Sequence, residues 1–166
     1  MIVVSDTTPL SELAKVGQLT LLRGVFGQVI VPQEVYNEVT TGNHPAVVVV
    51  QAATWIEVRS VQDNSQVFAL QERAKIHRGE AAAIILAEEL GAQQVLIDDL
   101  RARRVAKARL LPVTGTIGTL LLAKEQRLIT QVKPILDDLI AVGKRISPQL
   151  YQDVLVIAQE FKNLQA

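Results

Sequence analysis

Apolar runs of strand length alternate with segments of helical period along the whole chain. Ile2–Ser5, Val29–Val31, Trp55–Val58, Val95–Ile97 and a short run ending at Val113 have the length and β-branched character of buried strands. Helix signals lie between them. Thr8 before Pro9 suggests an N-cap and first helical position, with Leu10, Leu13 and Ala14 on one buried face. Pro32 opens a second helix carrying Val35 and Val39. Asp63 or Asn64 caps a third, with Val67, Phe68 and Ala74 inward. Val47–Val50 is β-branched, but Pro45 before it and Ala52-Ala53 after it favour a helix. After Gly79, Glu80–Leu90 continues as an Ala-rich helix stopped by Gly91. Thr116–Gln126, Pro134–Val142 and Pro148–Phe161 complete the pattern, the last capped by Ser147. No repeat, low-complexity tract or linker interrupts it. Residues 1–166 are therefore expected to form a single α/β domain around a mostly parallel sheet covered on both faces.

Open parallel sheets bind ligands beyond the carboxyl ends of their strands, so the polar residues expected there carry the functional question. Asp6 follows the first strand directly, and Asp98 and Asp99 follow Val95-Leu96-Ile97 in the same way. As ordinary structure, these acids are turn or helix-start residues. Two adjacent carboxylates at a buried strand end, however, lose hydration and repel each other, and a divalent cation is the natural compensation. Glu38 flanks the buried stripe of the second helix, one turn from Val35. Glu80 begins the Ala-rich helix. Asp137-Asp138, flanked by Ile135-Leu136 and Leu139-Ile140, lies in mid-helix and is set aside as a solvated face.

Hard cations such as Mg²⁺ or Mn²⁺ take oxygen ligands and keep several waters. A cage of Asp6, Glu80, Asp98 and Asp99, with Glu38 completing it or placing a water, suits hydrolysis at phosphorus. Without metal, at least one of these acids is expected to have a raised pKa. His44, in the turn before Pro45, and His77, near a basic helix end, are read as uninvolved.

Composition narrows the classes. The chain has no cysteine, which excludes disulfide scaffolds and thiolate metal sites and suits a reducing cytoplasm. No stretch at the N-terminus has the length of a signal or membrane-spanning segment. Seventeen basic residues balance seventeen acidic ones, so contact with nucleic acid must come from a local patch. The densest one is Arg101-Ala102-Arg103-Arg104 with Lys107, immediately after the paired aspartates. It is either a solvated face or a grip on phosphates. Tyr36, Trp55 and Tyr151 sit among apolar neighbours and do not suggest a base-stacking platform.

Five ordered stretches carry a family resemblance: Val3-Val4-Ser5-Asp6-Thr7-Thr8-Pro9-Leu10, Val31–Val39, Arg78-Gly79-Glu80-Ala81-Ala82-Ala83-Ile84, Val95–Asp99 and Pro112–Gly118. On these the sequence resembles the PIN-domain family, which includes the VapC-type toxin ribonucleases, and within it a prokaryotic subgroup usually left without an assigned substrate. The resemblance implies a three-layer α/β/α sandwich. It also implies a Mg²⁺- or Mn²⁺-dependent ribonuclease of toxin type, with Asp6, Glu38 and Glu80 as the first three family acids. Many of the toxins have Thr-x-Asp where this chain has Ile97-Asp98-Asp99. Aligning the strands puts Asp99 on the fourth acid, and a shift of one residue chooses Asp98. The hydroxyls of Ser5, Thr7, Thr114 and Thr116 are placed to orient carboxylates, or else to cap helices and close turns. A homodimer and a small antitoxin-like partner follow from the resemblance as expectations. Two other readings stand beside the RNA-cleaving one. A haloacid-dehalogenase-like phosphohydrolase would need an acid where Thr8 stands. The other is an inactive PIN-fold binding or assembly module, with apolar Leu150, Val154, Ile157 and Phe161 available for packing or for a subunit.

Overall fold

A computed structural model describes residues 1–161; the last five residues of the expected domain lie outside them. The strands are β1 (Val3–Ser5), β2 (Val29–Pro32), β3 (Ile56–Arg59), β4 (Gln94–Leu96) and β5 (Val113–Thr114). They form one parallel sheet in the order β3-β2-β1-β4-β5. The helices are α1 (Thr7–Lys15), α2 (Thr20–Phe26), α3 (Gln33–Val39), α4 (Pro45–Ala52), α5 (Asn64–Ala74), α6 (Arg78–Leu90), α7 (Leu100–Ala108), α8 (Thr116–Glu125), α9 (Lys133–Ala141) and α10 (Pro148–Ile157).

Strand alternation decides which side chains meet which helices. Val3, Val29, Val31 and Leu96 point into a core shared with α1–α4 and α8–α10. Val4, Ile30, Val95 and Ile97 point into a second core built with α5, α6 and α7. Two cores back to back on one sheet make the three-layer α/β/α sandwich. The central strands are buried on both faces, which is why their sequences are runs of apolar residues with no polar alternation.

Strand order also creates the site. From β1 the chain builds outward through β2 and β3, then returns to place β4 on the other side of β1. Crossovers therefore diverge between β1 and β4, leaving a crevice at their carboxyl ends. Register closes this point tightly: Ser5 lies opposite Leu96, and the Asp6 N–H donates to the Leu96 carbonyl at 2.9 Å. Asp6 and the Ile97-Asp98-Asp99 turn therefore emerge side by side.

Several boundaries differ from the sequence reading, each for a local reason. Asp6, and not Thr8, occupies the N-cap position of α1, so Pro9 falls later in the first turn. There it is tolerated because those N–H groups have no acceptor within the helix. Gly79 lies inside the first turn of α6 and does not precede it. Helix α2, not foreseen, begins at Leu19 without a side-chain cap and contains Gly24. Packing sustains it: a Cβ at Gly24 would lie 2.9 Å from Leu128 Cδ1, and Leu21, Leu22 and Phe26 are buried. Phe68 is 63% exposed, because Val67 and Leu70 form the inward stripe of α5. Of the apolar residues noted near the C-terminus, Val154 is buried, while Leu150, Ile157 and Phe161 are exposed. The ambiguous Val47–Val50 is helical, capped by His44, whose Nδ1 accepts from the Ala46 N–H. Gly91 ends α6 in the left-handed conformation.

One clamp holds the C-terminal helices. The Glu160 carboxylate accepts from the Val132 and Lys133 N–H groups at 2.7 and 2.9 Å, and pairs with Lys124 at 3.0 Å. Burial pushes its pKa up, but these donors outweigh burial and hold it below the usual glutamate value. The clamp therefore stabilises the fold above the ordinary glutamate pKa and fails as pH falls through the lowered one. Glu160→Gln is expected to cost about 1–3 kcal/mol at pH 7 and almost nothing in strong acid, read as a difference in urea midpoints across pH.

Candidate active site

Asp6 is 4% exposed and Glu80 7% exposed, the two buried carboxylates of the protein's described residues. The end of β1 places the first and the buried N-terminal turn of α6 the second. Glu38 comes from α3, which packs against both α1 and α6. The Thr7 hydroxyl donates to Glu38 Oε2 at 2.5 Å and so ties α3 to the start of α1. Gly79 sits between the acids: a Cβ there would lie 3.4 Å from Asp6 Oδ1 and 3.5 Å from Glu38 Oε1. A Cβ at 79 would be in van der Waals contact with both oxygens and with Val35 Cγ2.

Electrostatics follow from this crowding. Burial above all pushes the Asp6 carboxyl up from 3.8 to about 7, against the opposing Thr7 N–H; Glu80, Glu38 and Asp98 raise it further. Glu80 is also raised, again first by burial, then by Asp99 and Glu38, while the His77 N–H, donating at 2.9 Å, opposes the shift. The expectation of a raised acid is met, with burial a larger cause than repulsion. Among the described residues no lysine or arginine pairs with Asp6, Glu38, Glu80 or Asp99.

The paired aspartates face different surroundings. Asp98 turns inward: Oδ1 accepts from the Thr116 N–H and Oδ2 from the Thr116 hydroxyl, both at 2.6 Å, and Lys144 Nζ lies 3.3 Å from Oδ2. Lys144 is held in turn by Glu12 at 2.7 Å. Burial lowers the Lys144 pKa, but Asp98 and Glu12 outweigh that and raise it. Asp99 is exposed, caps α7 by accepting from the Arg101 N–H at 3.3 Å, and acts on Glu80. Gly115 makes the Asp98 turn possible, since a Cβ there would lie 2.7 Å from Asp98 Oδ1 and 2.9 Å from Arg103 Nη1.

Of the four hydroxyls, Thr7 and Thr116 hold carboxylates. Ser5 donates to the Asp6 carbonyl, and Thr114 donates to Gln94 Oε1, away from the acids. Within the basic run, Arg103 turns inward and donates to the Ile97 carbonyl at 2.9 Å, supporting the acidic turn. The reading of Arg103 as part of a solvated face or a grip on phosphates is thereby corrected, because its guanidinium is taken up by the Ile97 carbonyl. Arg104 and Lys107 are exposed, and Arg101 reaches the Lys75 carbonyl. Asp137 pairs with Lys133 and accepts from the Tyr151 hydroxyl, while Asp138 is exposed. The sequence reading missed Glu12 and Lys144. They lie 132 residues apart and only the tertiary fold joins them; the one local hint was a basic pair, Lys144-Arg145, just past a helix end.

A family model described as a PIN domain matches residues 2–160. The chain belongs to the PIN-domain family. No curated protein and no solved structure matched it. PIN domains have a nuclease-type fold, generally act as metal-dependent nucleases, and typically use divalent metals. Among the described residues no three His, Asp or Glu side chains close into a ready metal cage. The donor chemistry nevertheless fits Mg²⁺ or Mn²⁺: carboxyl oxygens of Asp6 and Glu38 both lie beside Gly79, and among the described residues no lysine or arginine pairs with them. Such ions retain several waters and need only one or two carboxylates. No helix among the described residues is long and apolar enough to cross a membrane.

The Asp6 shift carries a stability consequence. Between pH 4 and 7 the folded protein holds a proton on Asp6 that the unfolded chain has lost, so stability falls as pH rises through this window. Above it, burying the charge costs on the order of 4 kcal/mol at most. Asp6→Asn removes the charge. Thermal melts in EDTA should show the variant gaining stability over wild type from pH 5 to 8, and parallel pH profiles would contradict the assignment.

Proposed function

We propose that the protein is a metal-dependent nuclease that hydrolyses phosphodiester bonds in RNA. The observation that carries this is the buried Asp6 at the β1–β4 crevice, facing Glu38 and Glu80 without a cation partner. Asp6 and Glu80 would hold the ion, with Asp99 at its other side. When bound, the ion would supply Lewis acidity at phosphorus and acidify a water. Glu38, more exposed and steadied by the Thr7 hydroxyl, would orient the attacking water and accept its proton. Asp98, fixed by Thr116, keeps the acidic turn in register with Asp6.

The same turn begins α7, whose exposed Arg101, Arg104 and Lys107 would bind the strand's backbone. Phosphate contacts position a strand without reading its sequence. Homodimerisation, a small antitoxin-like partner, a toxin role and a cytoplasmic setting belong to this proposal through the family resemblance. Thr8, in the position where a dehalogenase-type phosphohydrolase needs its second acid, lies in the first turn of α1 and offers no carboxylate.

The test is cleavage of a mixed RNA pool with Mn²⁺. Wild type should cut, excess EDTA should stop it, and Asp6→Asn should lose at least about a hundredfold in rate, the lower end of what a positioned catalytic group contributes. Cleavage that persists in EDTA or in purified Asp6→Asn overturns the mechanism; RNA binding with no cleavage by wild type would indicate the inactive module.

Binding makes a separate prediction. Arg104→Ala with Lys107→Ala should weaken binding of single-stranded RNA alike across sequences. It should also reduce the slope of log K against log salt by about 0.7 for each phosphate contact removed. A loss confined to particular sequences would show that α7 reads bases.

A further inference from the structure

The acids of the crevice divide into two groups by what already serves them. Asp98 is nearly saturated. A carboxylate offers about four lone-pair sites, and three of those on Asp98 go to the Thr116 N–H, the Thr116 hydroxyl and the Lys144 ammonium. Lys144 is no casual surface partner. Its side chain is 13% exposed, those of Glu12 and Asp98 are 20% and 15% exposed, and it bridges the two carboxylates at 2.7 and 3.3 Å. Gly115, by lacking a Cβ, allows this arrangement to close. Asp6, Glu38 and Glu80 have none of this: their donors are the Thr7 N–H and hydroxyl and the His77 N–H, the His77 ring acts by charge on Glu80 alone, and no ammonium or guanidinium among the described residues reaches them.

We propose that Lys144 is the site's built-in cation: pinned by Glu12, it neutralises and positions Asp98, so that one divalent ion, on the Asp6–Glu38–Glu80 side, completes the site. An ammonium within 3.3 Å of Asp98 Oδ2 repels a second cation from that carboxylate and occupies the approach it would use. Asp98 thus acts as a fixed wall of the site, and Lys144 as a positioning residue acting through it. The inference rests on reading the site as metal-dependent, and adds to that reading the number of ions and the residue that sets it.

Titration calorimetry with MnCl₂ on the full chain tests this independently of catalysis. Wild type should bind one Mn²⁺ per chain. Lys144→Gln, which removes the charge and keeps much of the side chain, should reveal a second ion at least tenfold weaker than the first. Lys144→Arg should restore the count of one, with circular dichroism verifying the fold of each variant. Two ions on wild type, or a folded Lys144→Gln protein with an unchanged isotherm, overturns the inference while leaving the metal-dependent reading intact. No Mn²⁺ on wild type overturns both. Should Lys144→Gln fail to fold, the wild-type count alone decides.

Discussion

Asp6 ends the central strand of a parallel sheet that is apolar on both faces, and a carboxylate held there loses most of its hydration. Little about the location is adjustable. The strand order makes β1 and β4 neighbours, and the Asp6 N–H is bonded to the Leu96 carbonyl, so the residue cannot swing out toward water without breaking the ladder. A buried carboxyl in this position either keeps its proton or gains a compensating charge. The rise of its pKa to about 7 is the first response; convergence of Glu38 and Glu80 on the same space makes the second more favourable, because an added cation then interacts with three acids. On the proposed reading, stability and chemistry would be opposed at this residue, a common property of functional sites.

The neighbouring acid shows the same constraint met by another route. Asp98 leaves β4 as Asp6 leaves β1, yet it receives a backbone N–H, a hydroxyl and an ammonium, which replace the hydration it loses. Two glycines make the contrast structurally possible. Gly115 lets the α8 N-terminus approach Asp98 closely, whereas Gly79 leaves space open between Asp6 and Glu38. One absent side chain permits filling and the other preserves a gap. Arg103 belongs to the first arrangement: by bonding the Ile97 carbonyl it anchors the turn from beneath, and a residue that looks like part of a phosphate-binding run serves the site's framework.

How much of this was legible in the sequence depended on whether the signal was local. The strands, the central position of Asp6 and the acidic turn after Ile97 follow from short apolar runs and what comes after them, and the structure has them. Helix α2 escaped because it has no cap and includes Gly24; its stability comes from packing on Leu128, which no window of adjacent residues reveals. Phe68 was misplaced since an apolar residue next to the buried stripe looks the same in sequence as one within it. The Glu12–Lys144 pair was invisible because its partners meet only after α9 has been docked, with Glu160 clamping the helix's first N–H groups. Arg103 illustrates a further limit: helical periodicity says which residues share a face, but the partners of that face come from the rest of the fold.

Zero net charge gives these local arrangements more consequence than they would have in a strongly basic protein. On the proposed reading, with no long-range field to draw a polyanion in, approach of an RNA strand would depend on the exposed cations of α7, against the repulsion of the acids. On the proposed reading the divalent ion changes the sign of that balance as well as supplying chemistry. Ion and strand then bind with mutual assistance, since each lowers the electrostatic cost of the other, and such coupling is reciprocal by linkage. A crevice that is too negative to accept phosphate alone and too open to close on a metal alone discriminates against either one in isolation. Its open carboxylates are thus part of how a neutral protein would restrict hydrolysis to the moment when ion and backbone are present together.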